Sequence, residues 1–263
     1  MIRLLNEKDR FKVLDYLYQE AEYNIFLIGD IETFGFNQKF QRVYGEFDDF
    51  NTLLSVFLRY YENAVFYSHI NHFNLDYLDI FKKDPFDYIS GKSSIMEKID
   101  PYLKNYHLER MFFCSANQLI NNDDENFKFD QLKTEEDAGK LYDFLVGIDE
   151  FGIDRKDKNQ FIDSKMKALN MGITLYIEKD NHIISTVSTT AETTKNAMVV
   201  AVATLESERH QGYASKLMKQ LMKIYLEDKK KSLCLFYNNP EAGKIYLRLG
   251  FVNLGTWDMY KIK

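Results

Sequence analysis

Residues 206–214 read ESERHQGYA, and the spacing Arg209-x-x-Gly212-x-Ala214 is one that could hold an anion. Glycine and alanine leave backbone that a phosphate can approach, where a larger side chain would screen it. A helical pattern follows the loop, and the first N–H groups of a helix have no internal partner and point out at the turn. A pyrophosphate is the usual occupant of such a helix start. The same residues equally suit a tight turn packed against its sheet, so the loop alone leaves both readings open.

Two elements must hold that loop. Before it, residues 198–203 form a continuous apolar run rich in valine, as a buried strand requires. After it, Leu217, Leu221, Ile224 and Tyr225 share one helical face, while Lys216, Lys219 and Lys223 share another. A second stretch, residues 233–251, is a short apolar strand and then a helix opened by Asn239-Pro240. Tyr246 lies within that helix, and Gly250-Phe251 ends it.

Together the two stretches resemble the GNAT superfamily of N-acetyltransferases. The likeness is to its acetyl-CoA loop, R/Q-x-x-G-x-G/A, and to the N-P…Y…G-F segment that follows, and it covers the chain from about residue 127 onward. It implies acetyl-CoA as co-substrate, no metal, and transfer of the acetyl group directly to a primary amine of a small acceptor. Gln211, Gly212, Tyr213 and Ala214 would give backbone N–H groups to the pyrophosphate, and Arg209 a charge-assisted bond. The strand edge at Val200, Ala201 and Val202 would pair with pantetheine amides, as a strand accepts a peptide.

Asn239 falls where the family contacts the pantetheine arm, although capping the helix explains it equally well. Tyr246 stands where the family places the tyrosine that protonates the coenzyme A sulfur; packing at the helix end against Phe251 is the alternative. Gly243 occupies a position where many members carry a second asparagine. Direct transfer needs a neutral amine, two reactants held together and a proton for the leaving thiolate. The absence of a Ser-His-Asp or Cys-His pattern is therefore no objection. As general base the candidates are Glu206, directly after the strand, and Glu192, between the two strands before it. Both also suit solvated loop positions, with water as the base. Two rivals stand beside the transferase: a CoA-binding sensor or assembly protein without catalysis, and an acyltransferase using another acyl-CoA or an aminoacyl donor.

Composition limits the rest. The 263 residues suit two ordinary domains or one large one, and 45% apolar with 28% charged residues is a soluble globular balance. Net charge is −6, with 13 basic and 18 acidic side chains in the first 116 residues and 21 and 22 in the remainder. An acidic chain without a basic tract is a poor general nucleic-acid binder. Cys114 and Cys234 lie in apolar strand-like runs without metal-ligand spacing, which reads as buried thiols in a reducing compartment. No run approaches membrane-spanning length and the N-terminus lacks a signal-peptide core, so a cytoplasmic location without membrane or nucleic-acid partners is expected. A homodimer is compatible with the sequence and not indicated by it.

Along the first half, a helical pattern at 7–22 precedes a short apolar run at 24–31. Strands follow at 41–46, 52–60 and 64–68, then a helix at 71–81, a strand at 86–90, a helix at 94–106 and a strand at 108–115. A polar linker occupies 116–126. The second half reads as a strand at 127–132, a helix from Thr134 to about Ile148, a helix at 159–169 and a hairpin over 172–190. The loop-bearing strand and helix come next, then a strand at 232–237, the Pro240 helix and a strand at 252–260. That succession, β-αα-βββ-α-β-α-β, is the complete GNAT order, an α/β (α+β) GNAT acyl-CoA N-acyltransferase fold. The first half runs in a similar order, but its glycine loop, Ser90-Gly91-Lys92-Ser93-Ser94, lacks the R-x-x-G-x-A pattern. Two tandem GNAT-like domains are expected, 1–115 degenerate and 127–263 catalytic. An unrelated α/β domain in the first half is the alternative.

Overall fold

The computed structural model describes residues 1–36, 38–120, 127–148 and 157–263. Most of the first half, Met1–Cys114, forms one unit together with Phe236–Pro240 and Asn253–Lys263; Ser115–Leu235 and Glu241–Val252 form the other. Residues 121–126 of the expected linker lie outside the described residues.

The first unit runs β1 (Ile2–Leu4), α1 (Arg10–Leu17), α2 (Ile25–Phe34), β2 (Gln41–Phe47), β3 (Leu53–Tyr60), β4 (Asn63–Tyr67), α3 (Tyr77–Lys83), β5 (Tyr88–Lys92), α4 (Ser93–Ile99) and β6 (Tyr106–Ala116). Its strand order is β1-β2-β3-β4-β5-β12-β6, where β12 (Val252–Ile262) is the last element of the chain. β1 to β4 pair antiparallel, β4 and β5 pair parallel, and β12 runs antiparallel to β5 from Trp257 opposite Lys92 to Lys261 opposite Tyr88. Phe57, Phe66, Tyr77, Ile89, Ile95, Ile99 and Tyr260 fill the core over this sheet. A buried charge needs partners, and the fully buried Asp258 has three: Arg110 Nε and Nη2, each at 2.7 Å, and Ser93 Oγ at 2.6 Å. These bonds fix where β12 sits between its neighbours.

Two local expectations change, and one stretch read only as apolar takes a definite form. Residues 25–34 are helical; a short apolar run carries no period that separates buried helix from buried strand. α3 begins only at Tyr77, after a loop in which Asn71 takes φ 53. α4 ends at Ile99, because Pro101 cannot continue a helix and the chain makes a single 3-10 turn instead.

The second unit runs β7 (Asp130–Gln131), α5 (Glu135–Val146), α6 (Lys158–Lys167), β8 (Thr174–Lys179), β9 (His182–Thr190), β10 (Asn196–Thr204), α7 (Tyr213–Met222), β11 (Ser232–Tyr237) and α8 (Pro240–Leu249). The strand order is β11-β10-β9-β8-β7, and only the β10–β11 pair is parallel. α5 starts where expected: the Thr134 hydroxyl accepts the Asp137 N–H at 3.2 Å, and Asp137 accepts the Thr134 N–H at 2.9 Å. The β8–β9 hairpin turns through Asp180 and Asn181, both at positive φ, as a two-residue hairpin requires. The order β-αα-βββ-α-β-α-β thus occurs in both halves of the chain.

Candidate functional site

β10 leaves its parallel neighbour early. Asn196, Ala197 and Met198 pair with Ser232, Leu233 and Cys234, and the ladder is confined to those three pairs. On the other side β10 stays with β9 through a bulge between Val200 and Ala203, where Ala201 takes φ 51. Exposure changes at the same point: the first four residues of β10 are buried and the last five half-buried. A parallel pair that parts leaves backbone N–H and C=O groups facing a gap, and a bulge re-aims them. Val200, Ala201 and Val202 all lie at this divergence.

From β10 the chain passes through one 3-10 turn, Glu206–Glu208, into the loop. Glu206 is exposed at its start. Glu208 accepts Lys179 Nζ at 2.9 Å and Gln211 Nε2 at 3.0 Å, and the lysine above all holds this carboxyl below the usual carboxylate range. The Tyr213 hydroxyl donates to Gln211 Oε1 at 3.0 Å. Arg209 folds back, with Nε donating to the Thr204 carbonyl at 3.3 Å, so its side chain braces the loop against the end of β10. Gly212 is the N-cap of α7 at φ 79, a left-handed conformation that glycine adopts without strain. A Cβ built there meets nothing within 4 Å. Space in front of this residue is therefore open. The first N–H to find a helical acceptor across this cap is that of Lys216, on the Gly212 carbonyl at 3.0 Å. Those of Tyr213, Ala214 and Ser215 come before it and have no carbonyl one turn back within the helix.

A cavity of about 270 Å³ opens beside this turn, lined by Gly212, Ser215, Lys216 and Lys219 and by Arg248 and Leu249 of α8. Ser215, Lys216 and Lys219 follow Gly212 at three, four and seven residues, the spacing of one helix face. α7 is held in place by burial of Leu217, Met218, Leu221 and Met222, each worth roughly 2 kcal/mol. Sequence reasoning placed Lys216 and Lys219 on a polar face and passed over Ser215 and Arg248. The spacing from Gly212 was the available signal for the first of these; nothing local pointed to the second. A larger hollow of about 640 Å³, in the first unit between Phe40, Arg59, Tyr61 and Asp87, lies where β4 and β5 begin. Ligands of open parallel sheets bind at the opposite, carboxyl ends of the strands.

The sequence profile of the acetyltransferase (GNAT) family matches residues 140–251, a span that includes the β10 edge, the loop and Tyr246. Residues 140–251 are a GNAT domain. No curated protein matches the chain. Among solved structures, a GCN5-related N-acetyltransferase from Sphaerobacter thermophilus aligns at a TM-score of 0.64 and 12% identity, over 99% of this chain and 94% of that one. A tandem GNAT protein from the clavulanic acid biosynthesis pathway aligns at 0.60 and 10%, over 99% and 97% of the two chains. A GCN5-related N-acetyltransferase-like protein from Streptococcus suis aligns at 0.58 and 15%, over 97% and 99%. At such identities the likeness is one of fold.

Within the GNAT domain Tyr246 is buried on the face of α8 that also carries Gly243 and Leu249. Its ring meets Phe251 edge-on at 6.0 Å. Asn239, exposed just before α8, groups with the first unit. Glu192 is not near the loop. It sits in the β9–β10 turn, at the far end of a nine-residue strand and so roughly 25 Å away. There it accepts Tyr225 Oη at 2.7 Å, Lys229 Nζ at 2.8 Å and Lys231 Nζ at 2.7 Å. Burial pushes this carboxyl up, but those three donors outweigh it and hold it below the usual range. Of the two candidate bases, only Glu206 lies at the loop end of β10. Among the described residues, no group of three or more His, Cys, Asp or Glu side chains is placed to hold a metal, and no helix is long and apolar enough to cross a membrane.

The first half is GNAT-like in its element order, yet its parallel pair does not part in the same manner. β4 and β5 pair from Asn63–Tyr88 to Val65–Ser90, and at the next step a Cβ on Gly91 would come within 2.6 Å of the Phe66 carbonyl. Beyond that, Glu20 accepts both the Tyr67 hydroxyl at 2.9 Å and Lys92 Nζ at 2.8 Å, tying the two strand ends together. Residues 90–94, expected as a glycine loop, are instead the end of β5 and the start of α4. The true counterpart of the anion loop, residues 68–76, contains no glycine, and Asp76 and Asp79 stand at the start of α3, where they oppose an anion.

Proposed function

We propose that the protein is an N-acetyltransferase that takes its acetyl group from acetyl-CoA and passes it to the primary amine of a small molecule in the cytoplasm. One observation carries this: a half-exposed, bulged strand edge runs directly into a helix start whose N-cap glycine faces open space beside a cationic cavity. The residues fit coenzyme A. The N–H groups from Gln211 to Ala214 suit its diphosphate, Lys216 stands four residues beyond the N-cap, and the edge at Val200, Ala201 and Val202 suits its pantetheine amides. The bound thioester supplies the electrophilic carbonyl. The chain's part is to hold that carbonyl beside the amine while the N–C bond forms and the C–S bond breaks. Glu206, at the end of β10, is the residue suited to take the amine proton, and the Tyr246 hydroxyl to give one to the departing thiolate.

The burial of Tyr246 against Phe251 favours a second reading, a protein that binds CoA without turning it over. Incubation with acetyl-CoA and a panel of primary amines, with release of free thiol followed in time, separates them. Amine-dependent thiol release is the expected result. Tight CoA binding without release for any amine would leave the binding protein.

A further inference from the structure

The cavity beside Gly212 carries more positive charge than a diphosphate at the loop requires. Backbone N–H groups and the helix dipole already serve that group, and Lys216 lies within reach of it. Lys219 is seven residues past Gly212, roughly 10 Å along the helix axis, too far along to serve the turn as directly. Arg248 approaches from a different helix. No acidic side chain lines this cavity among the described residues, whereas Leu119 and Leu249 give it apolar walls and Ser215 a hydroxyl. Side chains on a helix lean toward its N-terminus, so Lys219 leans back into the cavity.

We infer that Lys219 and Arg248 form a second anion subsite, specific for the 3′-phosphate monoester on the ribose of coenzyme A. The inference rests on the CoA reading above and deepens it. A phosphate monoester carries close to two negative charges at neutral pH, which matches a lysine and an arginine converging from two helices. The guanidinium can meet two phosphate oxygens at once, and the leucines face the apolar parts of the nucleoside. The cavity would then select CoA over the same molecule without its 3′-phosphate.

Calorimetric titration of the full chain with CoA and with 3′-dephospho-CoA tests this. The wild-type protein is expected to bind CoA at least about tenfold more tightly, since one charge-assisted bond lost costs about that factor. Lys219→Gln and Arg248→Gln should each weaken CoA and leave dephospho-CoA nearly unchanged. Both positions are on the surface side of their helices, and thermal melts establish that each variant is folded. Equal wild-type affinity for the two ligands would overturn the subsite while leaving the diphosphate loop intact. Equal weakening of both ligands in both variants would also overturn it, by assigning these cations to the diphosphate. Failure of both ligands to bind would remove the CoA reading and the subsite with it.

Discussion

Gly212 allows the anion loop to be tested apart from the stability of the fold. Its φ of 79 is left-handed, and nothing lies within 4 Å of a Cβ placed there. A substitution therefore acts on the free protein through backbone strain alone, about 1–2 kcal/mol for an ordinary residue and less for asparagine. The bound state differs. A carboxylate at this position stands about 4 Å from the diphosphate, and two unit charges at that distance near a protein surface repel by about 4 kcal/mol, nearly a thousandfold in Kd. Gly212→Glu should thus lose far more CoA affinity than stability. Gly212→Asn, which keeps the conformation and adds no charge, should melt close to wild type and bind with an intermediate affinity. Calorimetry with CoA gives one quantity and thermal melting in the absence of ligand gives the other. If Gly212→Glu bound CoA within threefold of wild type, the diphosphate would not sit on this turn.

Tyr246→Phe should lower kcat by about 10²-fold, the scale of a lost general acid, with CoA affinity nearly unchanged; joint loss of binding and turnover would mark the ring as structural. Asp30 on α2 gives a pH dependence. Burial pushes its carboxyl up to about 7, above the aspartate value of about 3.9 in an unfolded chain, so its contribution to stability falls as pH rises from about 4 to about 7. Asp30→Asn should remove that slope and stabilise the protein at pH 8 by on the order of 4 kcal/mol, and parallel denaturation profiles for the two proteins across this range would refute the assignment. Because Glu20 ties Tyr67 to Lys92 across the first unit's strand ends, calorimetry should give one CoA per chain; a stoichiometry of two would mean that this pair opens.

What could be read from the chain alone followed the range of the forces involved. The β10–loop–α7 segment was legible because strand, turn and helix each leave a local mark: a valine run, a glycine where the backbone turns left-handed, and apolar residues one helical turn apart. Thr134 and Asp137 were legible for the same reason, as a cap closes within four residues. α2 was not, since its buried residues form a run without a period. Glu192 was correctly read as lying between two strands, but its distance from the loop follows only from the antiparallel hairpin, which puts that turn at the opposite end of β10. Arg248 was missed because it comes to the cavity that Lys219 lines from a different helix, 29 residues further along the chain. The closing of β4 on β5 depends on Glu20, which lies 72 residues from Lys92 in sequence, and no short-range pattern announces such a bond.

β12 has one address along the chain and another in space. Its residues follow the GNAT domain in the sequence, but they complete the sheet of the first unit, between β5 and β6. During synthesis the N-terminal unit therefore emerges with a gap in its sheet and exposes two strand edges until residues 252–262 have left the ribosome. Contacts such as Ser93–Asp258, 165 residues apart, make its completion a late event in folding. A gene cut between the halves would yield a first fragment that lacks a central strand and a second that ends in an unpaired one. Separate expression of either half should then need the missing strand returned, by a linker that grafts residues 253–262 after β6 or by coexpression of the two pieces.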